Sequence, residues 1–557
     1  MNTNNIKWGL VMIKNLNRIF AVILSVCLIF ALVACNSNKV DETDKPQPTT
    51  SEVEQDKTTS SSSSQETNSE ENKKKIQYID RYLDGTYSTT EAPSDAFEYV
   101  AGDSYKVLSG GADSEAAVLR NKILSAKDTF KPTGKVYYFS TDGNADNDGL
   151  SKDKPLNDLS SLSALNLKSG DAVLFKRGCI FRTTSILRLT SGVYYGAYGE
   201  GAKPEIWGSE QNYAGKNLWK PYGNKKNFWV MELLRPDAGV LVINNGEIEG
   251  RKFSSANALT YEGDFYHNPG NAIYLYSEKN PNEYKSIEIG CAATIFTAPS
   301  GSKDIKIENI SLKYTGTHGI QFGGKAQNIE IKNCELSWIG GCYQKVEGGQ
   351  RYGNGIEFWD GATNITVSNC WIHKIFDAGL TFQGSNDFVD ISFNNNLLEY
   401  CLMSIETWGR PQSSRPTTQI KNIDISDNIL RFSGYSYGTE RNDRSRGTHI
   451  TFSASSYSND YEDIIKNFVV KNNIFDCSYG TLIDHKWLES FSKSVGVDYI
   501  YQNNTYYMKE REHTDVIAAF GIKSTNYSEV YYAKNQQEFE KVISIIDKSP
   551  KLIKWVG

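Results

Sequence analysis

A short unit recurs from about residue 303 onward, and it decides what this chain can fold into. Each copy is an alternating strand, an Asn-containing turn and a second short strand. The copies read IKIENISL (305–312), IEIKNCEL (329–336), ITVSNCWI (365–372), DISFNNNLL (390–398), IDISDNIL (423–430), FVVKNNIF (468–475) and YIYQNNTY (499–506). The turn positions are Asn309, Asn333, Asn369, Asn395, Asp427, Asn472 and Asn503, separated by 24, 36, 26, 32, 45 and 31 residues. A unit this small cannot bury its own hydrophobic side, so it must stack on its neighbours. Stacking at about 4.8 Å per coil closes the backbone hydrogen bonds and builds one continuous core. Alternation then places Ile307, Ile331, Val367, Phe393, Ile425 and Val470 inside. Asn at the turn suits left-handed backbone and is expected to form a hydrogen-bonded ladder between coils.

The pattern resembles the right-handed parallel β-helix, or pectate-lyase-like, superfamily over residues 136–510. The opening segment agrees: KVYYFSTDGNADNDGLSKDKPLNDLSSL (135–162), then SGDAVLFKRGCIFR (169–182). The stretch GDFYHNPGNAIYLYSEKNPNEYKSIEIG (263–290) looks like an insert of polysaccharide-active members, with bounds near 215–300. The expected fold is all-β: a right-handed parallel β-helix over 135–510 with short capping helices at both ends. An N-terminal cap over 76–134 holds the helical pattern GGADSEAAVLRNKILSAKDTF (110–130). A C-terminal cap over 511–557 holds QQEFEKVISIIDK (536–548). A helix over the last coil protects an open edge.

The N-terminus reads as an export signal. Lys7, Lys14 and Arg18 precede an uncharged apolar run, Ile19 to Ala34, that ends in Leu32-Val33-Ala34-Cys35. This resembles a bacterial lipobox, so residues 1–35 are expected to be a lipoprotein signal with Cys35 as the lipidated residue. The protein would then be extracytoplasmic and anchored to the membrane. Residues 36–75 are Ser, Thr and charged residues with nothing to bury, a flexible tether. Of nine Cys, seven lie beyond the signal and anchor, an odd number with no CxxC pair. Neither a disulfide framework nor a zinc site is expected. The net charge of −6 leaves no basic excess for nucleic acid.

Aligning the second strands gives GIQF (319–322), GIEFWDG (355–361), GLTFQGS (379–385), SIETWGR (404–410), HITFSAS (449–455) and LIDHKW (482–487). Ile320, Ile356, Leu380, Ile405 and Ile450 then point inward. Gln321, Glu357, Thr381, Glu406 and Thr451 form one outward column. Glu357 and Glu406 sit two rungs apart, about 9–10 Å, a separation that suits an acid and a base with water between them. Trp359 and Trp408 offer faces for sugar stacking, and Arg410 a guanidinium for a uronate or hydroxyl pair. Asp360 and Asp377 are alternative acids, and each also reads as a turn cap. His449 follows the basic loop ERNDRSRG (440–447) and is a candidate base, with Arg444 and Arg446 as anion contacts. The same loop also reads as an exposed, internally salt-bridged one. Asp484, His485 and Lys486 lie on the following coil, where His485 and Lys486 are candidate substrate contacts; His485 also reads as an inward residue. The insertion at 340–355 brings Lys345 and Tyr352 towards Glu357 as a cleft wall. His318 and His373 have no evident partners.

The run Asp142-x-Asn144-x-Asp146-x-Asp148-Gly149 has calcium-loop spacing, but Pro155 stands where an EF-hand has its bidentate Glu. It is read as a structural turn, with a calcium loop as the less favoured alternative, and no metal or cofactor is expected. No nucleotide-binding or serine-hydrolase motif occurs. The resemblance implies a carbohydrate polymer as ligand. The leading expectation is a monomeric glycoside hydrolase. A polysaccharide lyase would instead use His449, Lys345 or Lys486 as base and Arg410 or Arg446 against a uronate. A non-catalytic polysaccharide binder is the third reading.

Overall fold

The computed structural model describes residues 98–99, 106–345, 349–441, 447–452, 462–486, 498–509, 514–520 and 527–556. The signal, Cys35 and the tether lie outside these residues, as do Arg444 and Arg446. Among the described residues no helix is long and apolar enough to cross a membrane.

Three sheets of ten strands each run along the molecule. The first starts at Val136–Phe139 and ends at Tyr499–Gln502. The second runs from Ile180–Arg182 to Leu552–Val556. The third starts at Leu187–Arg188, and its last strand, Tyr527–Ala533, pairs antiparallel with Thr514–Phe520. All other pairings in the three sheets are parallel, and each coil visits the sheets in turn. This is the stacked solenoid expected from the repeat.

Register explains the core. Ile307, Ile331, Val367, Phe393, Ile425 and Val470 are successive partners in the first sheet, each at most 1% exposed. Ile320, Ile356, Leu380, Ile405 and Ile450 do the same in the third sheet, all at 0%. In the next inward column aromatic stacks on aromatic, Phe322 on Phe358 at 5.0 Å.

The turn residues adopt the left-handed region, with φ from 50° to 59° at all seven predicted positions. The main hydrogen-bonded ladder, however, sits one residue further on. Asn396, Asn428, Asn473 and Asn504 are fully buried and link side chain to backbone from coil to coil at 2.9–3.0 Å. The ladder ends on Asp547, whose carboxylate accepts the Asn504 side-chain N–H at 3.1 Å.

The C-terminal helix, Gln536–Ile546, closes its end of the solenoid. Asn535 caps it, and Phe539, Val542, Ile543 and Ile546 join the main core. The N-terminal helix, Asp113–Leu124, is where the sequence expected a helix but not where it expected a cap. It packs on the outer side of the second sheet, held by Arg120 to Glu399 at 2.8 Å and by Asp476, which accepts the Gly111 and Ala112 N–H groups. Its charged residues find their partners on that flank. At the first coil Leu156, Leu159 and Leu162 close the core instead.

The insert lies between Glu205–Trp207 and Phe296–Ala298. It has two antiparallel sheets, of four and three strands, around a separate core that includes Tyr213, Trp219, Met231, Leu241 and Ile273. It abuts the solenoid closely: a Cβ on Gly239 would sit 2.6 Å from the Cys342 backbone nitrogen. The seven cysteines of the folded part are all free and buried.

Candidate functional site

The third sheet carries the site. Its register joins Gln321, Glu357, Thr381, Glu406, Thr451 and Asp484 in one column. Two residues further along the same strands, Trp359, Gln383 and Trp408 form a second column on the same face. Side chains two apart on a strand share a face, so acids and aromatics lie side by side. The sequence alignment reached the first column as far as Thr451; the structure extends it to Asp484.

The column is not solvated surface. Glu357, Glu406 and Asp484 are 3%, 2% and 4% exposed. Glu357 accepts from Gln321 Nε2 at 2.7 Å, Gln383 Nε2 at 2.8 Å and Asn354 Nδ2 at 3.3 Å. His318 Nε2 lies 3.3 Å from Glu357 Oε2, the oxygen that also accepts from Gln321. A buried carboxylate needs such donors. Of these partners, the sequence had left His318 without one, and it had not singled out Asn354 or Gln383. Gln383 was visible as the residue two places after Thr381. Asn354 and His318 come from the loops before two strands, where a period-two pattern carries no signal. Glu406 accepts the Thr381 hydroxyl at 3.4 Å, and Asp484 accepts the Thr481 hydroxyl.

The aromatic column is the more open part. Trp359 is 38% exposed. The Arg410 guanidinium lies 5.0 Å from the Trp408 ring and 5.9 Å from the Trp359 ring. Two indoles two rungs apart with a cation between them make a flat, partly charged platform. Tyr352 lies in the hairpin of Cys342–Tyr343 with Arg351–Tyr352, edge-on to His318 at 5.2 Å. Burial pushes its hydroxyl up to about 12. Lys345, in the loop between the two strands of the same hairpin, is exposed.

Other candidates fall elsewhere. His449 is fully buried at a corner of the coil, with Nδ1 2.8 Å from Ser433 Oγ. Burial alone lowers its pKa to about 3. It is not a base on the outer face. His485 is also inside, stacked on Phe452 at 4.3 Å and bonded to the Tyr501 hydroxyl at 3.0 Å. Burial lowers it to about 3 as well, and it is not a substrate contact. Asp360 is a turn residue at φ 55°, accepting the Ser385 and Asn386 N–H groups. Asp377 is buried in an ion pair with Arg441. Neither is placed as a catalytic acid. Glu440 pairs with Arg351 at 2.6 Å, so the first two residues of the basic loop are tied to other elements rather than to each other. Lys486 lies on the strand Thr481–Lys486, but its side chain is outside the description.

The loop of Asp142 to Gly149 holds itself by turn bonds, Asp146 N–H to Asn144 and Leu150 N–H to Asp148, and by an Asp142–Lys176 pair at 2.9 Å. Among the described residues no group of three His, Cys, Asp or Glu is placed to hold a metal. A cavity of about 340 Å³ lies on the first sheet, beside Phe130, Tyr194, Lys306 and Lys332. Those two lysines are paired with Glu330 at 2.8 and 3.4 Å, and the cavity shares no residue with the carboxylate column.

A family model described as a right-handed β-helix region matches residues 234–398. Among curated proteins none matches this chain. Solved structures with similarity include XylC in complex with xylose, at 12% identity and a TM-score of 0.41, covering 72% of this chain and 74% of that one. A GH136 lacto-N-biosidase from Eubacterium ramulus is 14% identical, with a TM-score of 0.33, over 76% of this chain and 67% of its own. Pectate lyase Pel9A is 12% identical, with a TM-score of 0.36, over 69% and 71%.

Proposed function

We propose that this right-handed parallel β-helix hydrolyses a polysaccharide with carboxylates of the third sheet. One observation carries the reading: acids two rungs apart stand beside a platform of Trp359, Arg410 and Trp408 on the same face. Inverting hydrolysis needs one carboxyl to protonate the leaving oxygen and another to activate water, with room between them. Glu357 and Glu406 are the pair the sequence suggests, and the indoles would stack on sugar rings. The lyase reading loses its leading base, because His449 lies inside the coil. Lys345 remains open to it.

The further expectations belong to the same proposal: lipidation at Cys35, an extracytoplasmic anchored location, a monomeric chain and no required cofactor. The test is Glu406→Gln against the unaltered chain on a polysaccharide it cleaves. Removal of a general acid or base lowers kcat by roughly 10²–10⁴-fold. Activity within threefold of the unaltered chain would remove Glu406 from the chemistry.

A further inference from the structure

Resting on the hydrolase reading, the geometry points to Asp484 as the partner of Glu406, with Thr451 holding the reacting water between them. Register places Thr451 directly beside Glu406 on one side and Asp484 on the other. The two carboxylates are therefore two rungs apart, about 9–10 Å along the sheet. That is the same separation as Glu357 and Glu406, so spacing does not choose between the pairs.

The threonines choose. Thr381, between Glu357 and Glu406, spends its hydroxyl on Glu406 at 3.4 Å. Thr451 is 3% exposed, and its buried Oγ1 hydrogen-bonds to none of the described residues. Buried hydroxyls are almost always bonded, and one without a protein partner marks a place for water or a ligand. This one faces outward between two acids. Glu357 already accepts from three side-chain amides.

The step balances without a co-reactant. Glu406 gives its proton to the glycosidic oxygen as the C–O bond breaks. Water at Thr451 adds to the anomeric carbon, and its proton passes to Asp484, already an acceptor from Thr481. The product carries the inverted configuration.

The test compares Asp484→Asn, Thr451→Val and Glu406→Gln on the full chain, with Tm as a folding control. Asp484→Asn is expected to lower kcat by about 10²–10⁴-fold. Thr451→Val should lower kcat by about tenfold or more with KM little changed. As a second readout, azide should restore turnover to Asp484→Ala by taking the place of water, and give a glycosyl azide. Near-normal kcat in Asp484→Asn, with Glu357→Gln and Glu406→Gln inactive, would overturn the inference and leave the hydrolase reading standing. Failure of azide to rescue a folded Asp484→Ala would also count against it. No cleavage of any polysaccharide by the unaltered chain would overturn the hydrolase reading itself.

Discussion

His318 Nε2 lies 3.3 Å from Glu357 Oε2, while its Nδ1 accepts the Asn354 backbone N–H at 3.1 Å. Since Nδ1 accepts, the ring proton is on Nε2, the nitrogen nearer the carboxylate. The loop before one coil thereby fixes an acid on the next. His318→Ala leaves the buried Asn354 N–H without its acceptor and is expected to cost about 1–3 kcal/mol in urea unfolding. His318→Gln keeps an acceptor and should recover part of that. A loss below about 0.5 kcal/mol in the alanine variant would mean the contact carries little.

The buried Asn ladder makes a prediction about the scaffold. Asn473 donates to Ile425 O at 2.9 Å, and its Oδ1 accepts the Asn428 N–H at 3.0 Å. Asn473→Ala leaves both groups buried and unsatisfied, and each costs about 1–3 kcal/mol. Hydrogen exchange should speed up first in the coils around residues 425–473, because a solenoid couples nearest neighbours. Uniform protection along the chain would contradict this.

The two inner histidines set a pH dependence. His449 and His485 have folded pKa values lowered by burial to about 3, against an ordinary 6.5. Below pH 6.5 the unfolded chain takes up protons that the folded chain refuses. Their stabilising contribution is complete above about pH 6.5 and is lost as pH falls towards 3. Each adds a slope of up to about 1.4 kcal/mol per pH unit within that window. His449→Asn should flatten the stability profile between those limits. An unchanged slope would show that His449 does not titrate as its burial requires.

Much of this was legible in the sequence because a β-helix obeys a period of two. The inward stacks, the left-handed Asn turns and the column from Gln321 to Thr451 all follow from counting. His449 was misread for a local reason. By period it shares a face with Thr451, but at the coil corner this position turns inward. Gly379 precedes Leu380 just as His449 precedes Ile450, and a Cβ there would meet Leu398 and Cys401. The ladder was misplaced because the left-handed residue turns the next side chain into the core, so Asn396 rather than Asn395 is buried. The N-terminal helix shows an apolar stripe, but its docking face depends on Glu399 and Asp476, which lie hundreds of residues away. His318 is a contact between loops, where no periodicity applies.

The platform predicts a division of labour. Trp408→Ala removes a stacking face and one of Arg410's two aromatic neighbours. KM for the cleaved polymer should rise about 2–13-fold with kcat little altered, as expected for an aromatic contact worth about 0.5–1.5 kcal/mol. A fall in kcat at constant KM would place Trp408 in the chemistry instead.

The central claim is hydrolysis by the carboxylate column. The most direct measurement incubates the protein with a panel of neutral and acidic polysaccharides, following new reducing ends and the absorbance of unsaturated uronates together. The account predicts reducing ends without that absorbance, and their disappearance in Glu406→Gln. Both signals rising together would contradict it and show β-elimination.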